Sequence, residues 1–422
     1  MNPQTPLDDL SGLDFWAQTP AERSAAFARM RAEQPISWQR QPDTAMMPQE
    51  DGTGGYWAVL RYEDVRTVSR DPDTFRSGAG VIFEDIPPEI LEASQSFLAM
   101  DDPRHAKLRK LVSVAFTPRQ VKLIEDGIRA DAAEIVNRLD ADGDFVQQVS
   151  KQLPLMTIMR MLGVPEAERE RLVDAADAMV SVNDPVFMSG REPLAVIGES
   201  LFILHTAAKE LLEQRRHTPT GDLLSGLAHA EVDGERLTDD EIAAFFVLLS
   251  VAGNDTTRQT TSHALRALCD FPDQRAALLA DLDGGLEAAV EEFIRWATPV
   301  MTFRRTATRD TELSGQPIAA GEKVVMFYSS ANRDEDVFAG ADRLDLARDP
   351  NRHVGFGGGG PHFCMGAPIA RSQLRAIFHA LLSSRPSVAA GQPRYLVGNF
   401  INAIGEMPAH YGPLHNPARA GG

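Results

Sequence analysis

Cys364 follows the glycine-rich run Gly355-Phe356-Gly357-Gly358-Gly359-Gly360 and, after Met365-Gly366, directly precedes a stretch of helical periodicity at 367–382. A sulfur at a helix N-terminus meets backbone N–H groups that have no carbonyl partner. These favour the thiolate, the form of cysteine that attacks electrophiles and binds metals. The same run formally fits the G-x-G-x-x-G dinucleotide pattern, but 349–353 is no buried strand, Pro361 follows the last glycine, and too little chain remains for a βαβ unit. A second anomaly is Val251-Ala252-Gly253-Asn254-Asp255-Thr256-Thr257, which sets a glycine and four polar side chains in the middle of a helical pattern. The glycine costs about 1 kcal/mol there relative to alanine, and such local inconsistency is expected at functional sites. His105 and Arg109 fall four apart on one helical face and can grip one anionic group; taken alone, the segment reads more readily as a solvated basic face.

These groups need elements to hold them. Leu237-Thr238-Asp239-Asp240-Glu241-Ile242 reads as a helix start, with Thr238 and Glu241 as a capping box and Leu237 against Ile242 as a hydrophobic staple. The pattern persists to Asp270, giving about 48 Å of helix, enough to cross a domain. Further helices are predicted at 21–33, 120–139, 153–162, 166–182, 197–215 and 286–296, and strands at 36–38, 56–60, 300–303 and 323–328. The break at Asn183-Asp184-Pro185 reads either as a mobile lid or as a plain helix–helix loop. The fold class is therefore mainly α with small β-sheets (α+β).

The 422 residues contain no Pro/Gly/Ser linker or internal repeat, so we expect one domain whose first ~15 residues are flexible. A net charge of −18 disfavours nucleic acid and anionic lipid. Two cysteines are too few for a disulfide framework, Cys269 reads as a buried structural thiol, and neither a signal peptide nor a membrane anchor is visible. A soluble, cytoplasmic protein is expected.

Phe356-Gly357-x-Gly359-x-x-x-x-Cys364-x-Gly366 resembles the haem-binding loop of the cytochrome P450 monooxygenases. Three further segments resemble the same family in the right order. Glu292-Phe293-Ile294-Arg295 is similar to its Glu-x-x-Arg motif, which alone would be an ordinary surface ion pair, with Arg343 as a third structural member. The polar break in the long helix is similar to its oxygen-activation motif. Wording such as Asn254 and Arg258 is closest to actinobacterial enzymes acting on sterol side chains and methyl-branched lipids.

The resemblance implies a P450 fold with a long central helix over haem b, and Cys364 as the axial thiolate beside Phe356 and Gly366. It implies that Asp255 and Thr256 relay protons during O2 activation, although a helical Thr256 also bonds its own backbone in many helices. His105, Arg109, Arg305 and His362 would hold the propionates, with Arg304 taking the place of Arg305 if the register differs by one. Ala252 would lie against the cofactor. Leu248, Val251, Val300, Met301, Phe303, Phe400 and Ile401 would contact a hydrophobic small molecule, with Val81, Phe83, Phe187 and Met188 nearby. Electrons from NAD(P)H would come through a ferredoxin or flavodoxin with its reductase, docking on a basic patch of Arg104, Lys107 and Lys110; the enzyme would be a monomer. A peroxide-driven enzyme, a tailoring oxidase of secondary metabolism and a non-catalytic haem or ligand carrier remain as alternatives.

Overall fold

The computed structural model describes residues 5–42, 44, 54–86, 88–115 and 118–414. The chain is predominantly helical, with short strands gathered at one side. The helices that bear on function are α1 (Pro20–Glu33), α2 (Tyr62–Arg70), α3 (Arg104–Ala115), α4 (Gln152–Met161), α5 (Glu166–Val180), α6 (Pro193–His217), α7 (Asp239–Asp270), α8 (Leu282–Ala297) and α9 (Ala367–Ser384).

Helix α7 is the axis of the molecule. It starts where the sequence predicts: Thr238 Oγ1 accepts the Glu241 N–H at 3.2 Å, and Glu241 Oε2 accepts the Thr238 N–H at 2.9 Å. Leu237 and Ile242 are both buried at the staple positions. The helix stays α-helical through Gly253. That glycine does not open it: a Cβ there would lie 2.6 Å from Cδ1 of Ile158 on α4, so its role is the close approach of two helices.

Five strands form the main sheet: β1 (Ile36–Arg40), β2 (Gly55–Val59), β3 (Phe75–Arg76), β4 (Thr302–Ala307) and β5 (Lys323–Phe327), in the order β1-β2-β5-β4-β3. Only β2 and β5 run parallel. The two-residue alternation of β4 decides between its neighbouring arginines. Arg304 turns to the loop at 79–85, pairing with Asp85 at 2.6 Å, and Arg305 turns into the interior.

Part of the chain start packs against the sheet. Leu10, Phe15 and Trp16 are buried in a cluster with Phe27, Tyr56, Phe83 and Phe327. Burial of each large apolar side chain contributes about 1.5–3 kcal/mol, which fastens this segment to the sheet. No helix among the described residues is long and apolar enough to cross a membrane.

Candidate active site

The cysteine loop is shaped by backbone contacts. Gly357 and Gly360 adopt φ +100° and +78°, and a Cβ on Gly360 would lie 2.3 Å from the carbonyl oxygen of Ser69 at the end of α2. The Cys364 N–H donates to the Phe356 carbonyl at 3.0 Å, closing the loop just before α9. Burial pushes the Cys364 thiol up, against N–H groups of Gly366 and Ala367 and the charges of Arg109 and Arg371, which favour the thiolate. Deep as it is, Cys364 is exposed, because its free side opens into a cavity of about 240 Å³.

Three basic side chains, Arg109, Arg305 and His362, collect at one edge of that cavity, with His105 packed behind His362. Arg109 donates to the carbonyls of Pro361 at 2.7 Å and Phe363 at 2.6 Å. Arg305, 4% exposed, donates to the Arg304 carbonyl at 2.7 Å, and burial lowers its pKa. His362 meets Ser77 Oγ at 3.1 Å, and its ring centroid is 4.2 Å from that of His105. Burial, then the charges of Arg305, His105 and Arg109, hold His362 down at about 2. Nδ1 of His362 and Nε2 of His105 are buried without a hydrogen-bond partner, and no carboxylate is among the described residues lining the cavity. Although His105 Nδ1 meets Asp102 at 3.3 Å, buried and crowded guanidinium and imidazole groups of this kind form a receptor for an anion.

The opposite wall is a stripe of α7. Phe245, Leu248, Leu249, Ala252, Gly253, Thr256, Thr257 and Thr260 face the cavity, with Leu98, Ile158, Val300 and Phe303 beside them. The Thr256 hydroxyl donates to the Ala252 carbonyl at 2.7 Å, so it sits at the cavity bonded to its own helix. Asp255 is not part of the lining. Its Oδ1 accepts from Arg258 Nε at 2.9 Å and Gln259 Nε2 at 3.1 Å, and Arg258 also reaches Asp177 at 2.7 Å.

Several expected contacts lie elsewhere. Val251 packs into the surrounding core, because it is out of phase with the cavity stripe. Met301 is buried behind the sheet, with its N–H on the Phe400 carbonyl at 2.8 Å. Ile401 pairs as backbone with Val300, and Phe400 touches the cavity only through Phe303, centroid to centroid 5.5 Å. Val81 and Phe83 are core, Phe187 points to solvent, and Met188 is buried away from the lining. Phe245, Leu249, Thr257 and Thr260 were missed, although extending the helical phase from Thr256 finds them. Ser69 and Gln373 also line the cavity and carry no such signal.

Glu292 and Arg295 are both wholly buried and pair twice, at 2.7 and 2.8 Å. The third arginine is a correction. Arg343 is exposed and offers only its carbonyl to Arg295 at 3.1 Å, whereas Arg348 Nε lies 3.2 Å from Glu292. The loop at 341–350 turns so that Arg348, not Arg343, passes beneath α8, and Asn351 adds a bond to Glu292 at 3.0 Å. The expected basic patch is likewise engaged: Arg104 pairs with Glu92 at 2.8 Å, Lys110 with Asp233 at 3.0 Å, and Lys107 with Glu235.

A helical fold crossed by one long helix, with a cysteine at a helix start facing a polar break in that long helix, defines a haem-thiolate type of centre. The family model for Cytochrome P450 matches residues 57–384, and the chain belongs to that family, whose members are O2-dependent haem-thiolate monooxygenases. It is 42% identical to a methyl-branched lipid omega-hydroxylase of Mycobacterium tuberculosis, over 96% of this chain and 95% of that protein. It is 38% identical to a steroid C26-monooxygenase of Mycolicibacterium smegmatis, over 91% and 89%. A solved structure of Mycobacterium marinum cytochrome P450 CYP268A2 in complex with pseudoionone is 56% identical and superposes with a TM-score of 0.92, covering 97% of this chain and all of that one. The residues present fit a haem. The buried Arg305 and the partnerless nitrogens of His105 and His362 would meet its carboxylates, and Cys364 would hold its iron.

Proposed function

We propose that this single-domain enzyme hydroxylates a terminal methyl carbon of a methyl-branched hydrophobic chain, with Cys364 as the iron ligand of haem b. The reading is carried by the cavity wall facing Cys364, which is aliphatic and aromatic except for the threonine hydroxyls of α7 and offers no charged anchor. A hydrocarbon end enters such a wall at little cost, and a polar head group does not. The relatives' names support this reading: one is a methyl-branched lipid omega-hydroxylase, one a steroid C26-monooxygenase, and the solved structure holds pseudoionone.

Haem bound to Cys364 would supply one-electron reduction and O2 activation. The chain's residues do the rest. Arg109, Arg305, His105 and His362 bind and orient the propionate edge. Phe245, Leu248, Leu249, Val300 and Phe303 exclude water and hold the substrate's C–H bond. Thr256 holds a proton at its hydroxyl over the reacting side, and Asp255 resupplies it once freed from Arg258. Electrons come from NAD(P)H through a ferredoxin or flavodoxin and its reductase, and the enzyme works as a cytoplasmic monomer.

The test pairs a low-to-high-spin binding screen of branched fatty acids, sterol side chains, terpenoid ketones and straight-chain lipids with mass spectrometry of products. Terminal hydroxylation of the branched compounds is expected. Attack only on rings or internal carbons, or binding without turnover across the panel, overturns the reading.

A further inference from the structure

Beneath the cysteine loop lies a charged group that the steps above do not use. Glu291, the neighbour of the motif residue Glu292, points to the other side of α8. Its Oε1 accepts from Arg371 Nε at 2.6 Å and its Oε2 from Arg371 Nη2 at 2.8 Å, a fork-to-fork pair. His353 Nε2 meets the same Oε2 at 3.1 Å. His353 Nδ1 accepts the Gly355 N–H at 3.1 Å, so the proton is on Nε2 and is donated to Glu291. Arg371 in turn lies over the ring of Phe356, 4.5 Å from guanidinium carbon to centroid. Phe356 carries the carbonyl that accepts the Cys364 N–H.

This chain runs from a carboxylate, through a guanidinium and an aromatic residue, to the backbone N–H of Cys364. Arg371 acts electrostatically on Cys364, favouring its anionic form. Glu291 cancels that charge: burial pushes its carboxyl up, but the hydrogen bonds from Arg371 and His353, together with the Arg371 charge, outweigh this and hold it at about 2. The sulfur therefore faces a neutral pair. Both side chains are about a third exposed or less, so solvent screens them only in part.

We propose that Glu291 and Arg371 are positioning residues that set the reduction potential of the centre, Arg371 raising it and Glu291 offsetting that rise, with Phe356 held as the spacer between them. The proposal rests on Cys364 as the iron ligand. Adding one electron to the centre adds one negative charge, so an uncompensated cation favours the reduced state and an uncompensated carboxylate opposes it.

The experiment is a redox titration with dithionite of the haem-loaded wild type, Glu291→Gln, Arg371→Gln and the double variant, with the reduced carbonyl spectrum of each recorded. Glu291→Gln is expected to shift the potential positive, Arg371→Gln negative, and the double variant back towards wild type, all with the thiolate-type red-shifted Soret band kept. A purely structural role gives shifts of one sign in both single variants, or loss of that band, and either result overturns the proposal. Unmoved potentials overturn it too. Arg371→Lys keeps the charge but not the fork, and is expected to stay closer to wild type than Arg371→Gln. Absence of the red-shifted band in the wild type is a separate failure, that of Cys364 as ligand.

Discussion

Arg258 donates through both Nε and Nη2 to a single oxygen of Asp255, the residue before Thr256, while its remaining Nη1 holds Asp177 at 2.7 Å. The acid adjoining the cavity is thus stored among packed side chains, and Lys151, 3.5 Å from Asp177, extends the network to α4's N-terminal side.

With Asp255 as the proposed proton source, delivery would depend on how tightly Arg258 keeps its carboxylate. Asp255→Asn is expected to slow product formation by about a hundredfold or more, the scale of a lost general acid. Thr256→Ala is expected to keep NAD(P)H consumption while oxygen leaves as hydrogen peroxide. Assaying product and peroxide per NAD(P)H checks both; unchanged coupling in Thr256→Ala would remove that hydroxyl from the proton path.

The buried pair under α8 separates two arginines. Arg348→Gln takes away a charged donor of the wholly buried Glu292, and a loss of about 3 kcal/mol or more is expected. Arg343→Gln removes an exposed side chain and should change stability by less than about 0.5 kcal/mol. Chemical denaturation of the two variants decides between them; equal losses would contradict the structure.

His263 supplies a pH dependence. Its Nε2 meets the Asn402 carbonyl at 2.9 Å, and burial holds its pKa down at about 4. The unfolded chain takes up this proton near pH 6.5, the folded chain only near 4, so stability falls as pH drops through that window. The contribution is up to about 3 kcal/mol at the acid end. His263→Gln should flatten that part of the stability profile; an unchanged slope between pH 6.5 and 4 would assign the loss to other groups.

Gly253→Ala tests the contact between α7 and α4. The added methyl gains about 1 kcal/mol of helix propensity but pushes on Ile158 Cδ1, 2.6 Å away, and Ile158 lines the cavity. Little change in stability is expected, together with weaker binding of bulky ligands. Pairing it with Ile158→Val should restore their spin-state response; failure to do so would locate the effect elsewhere.

Short-range chemistry was legible in the chain. The capping box at Thr238 and Glu241, the thiol at the start of α9 and the pair Glu292 with Arg295 are each written within a few residues. Contacts made across the fold were not. Arg343 and Arg348 sit five apart in an irregular loop, and only the path of that loop decides which one reaches Glu292. Val251 differs from Leu248 by helical phase alone, and Phe400 from Phe303 by one layer of packing. The lysines at 107 and 110 are matched by Asp233 and Glu235 from a distant hairpin, which no local pattern foretells.

The contact of Gly360 with the Ser69 carbonyl is backbone against backbone. At Gly360 no side chain can shrink or turn when a neighbour changes, and at Gly358 and Gly359 the Ser69 and Arg70 side chains already fill the space, Arg70 Nε donating to the Gly358 carbonyl at 3.1 Å, so the cysteine loop tolerates little variation at its outer edge. The wall across the cavity is the reverse, built from side chains of α4, α7 and β4 that can be exchanged one at a time. Descendants of this chain can therefore acquire new substrates by trading residues on that wall while the oxidising centre is inherited unchanged.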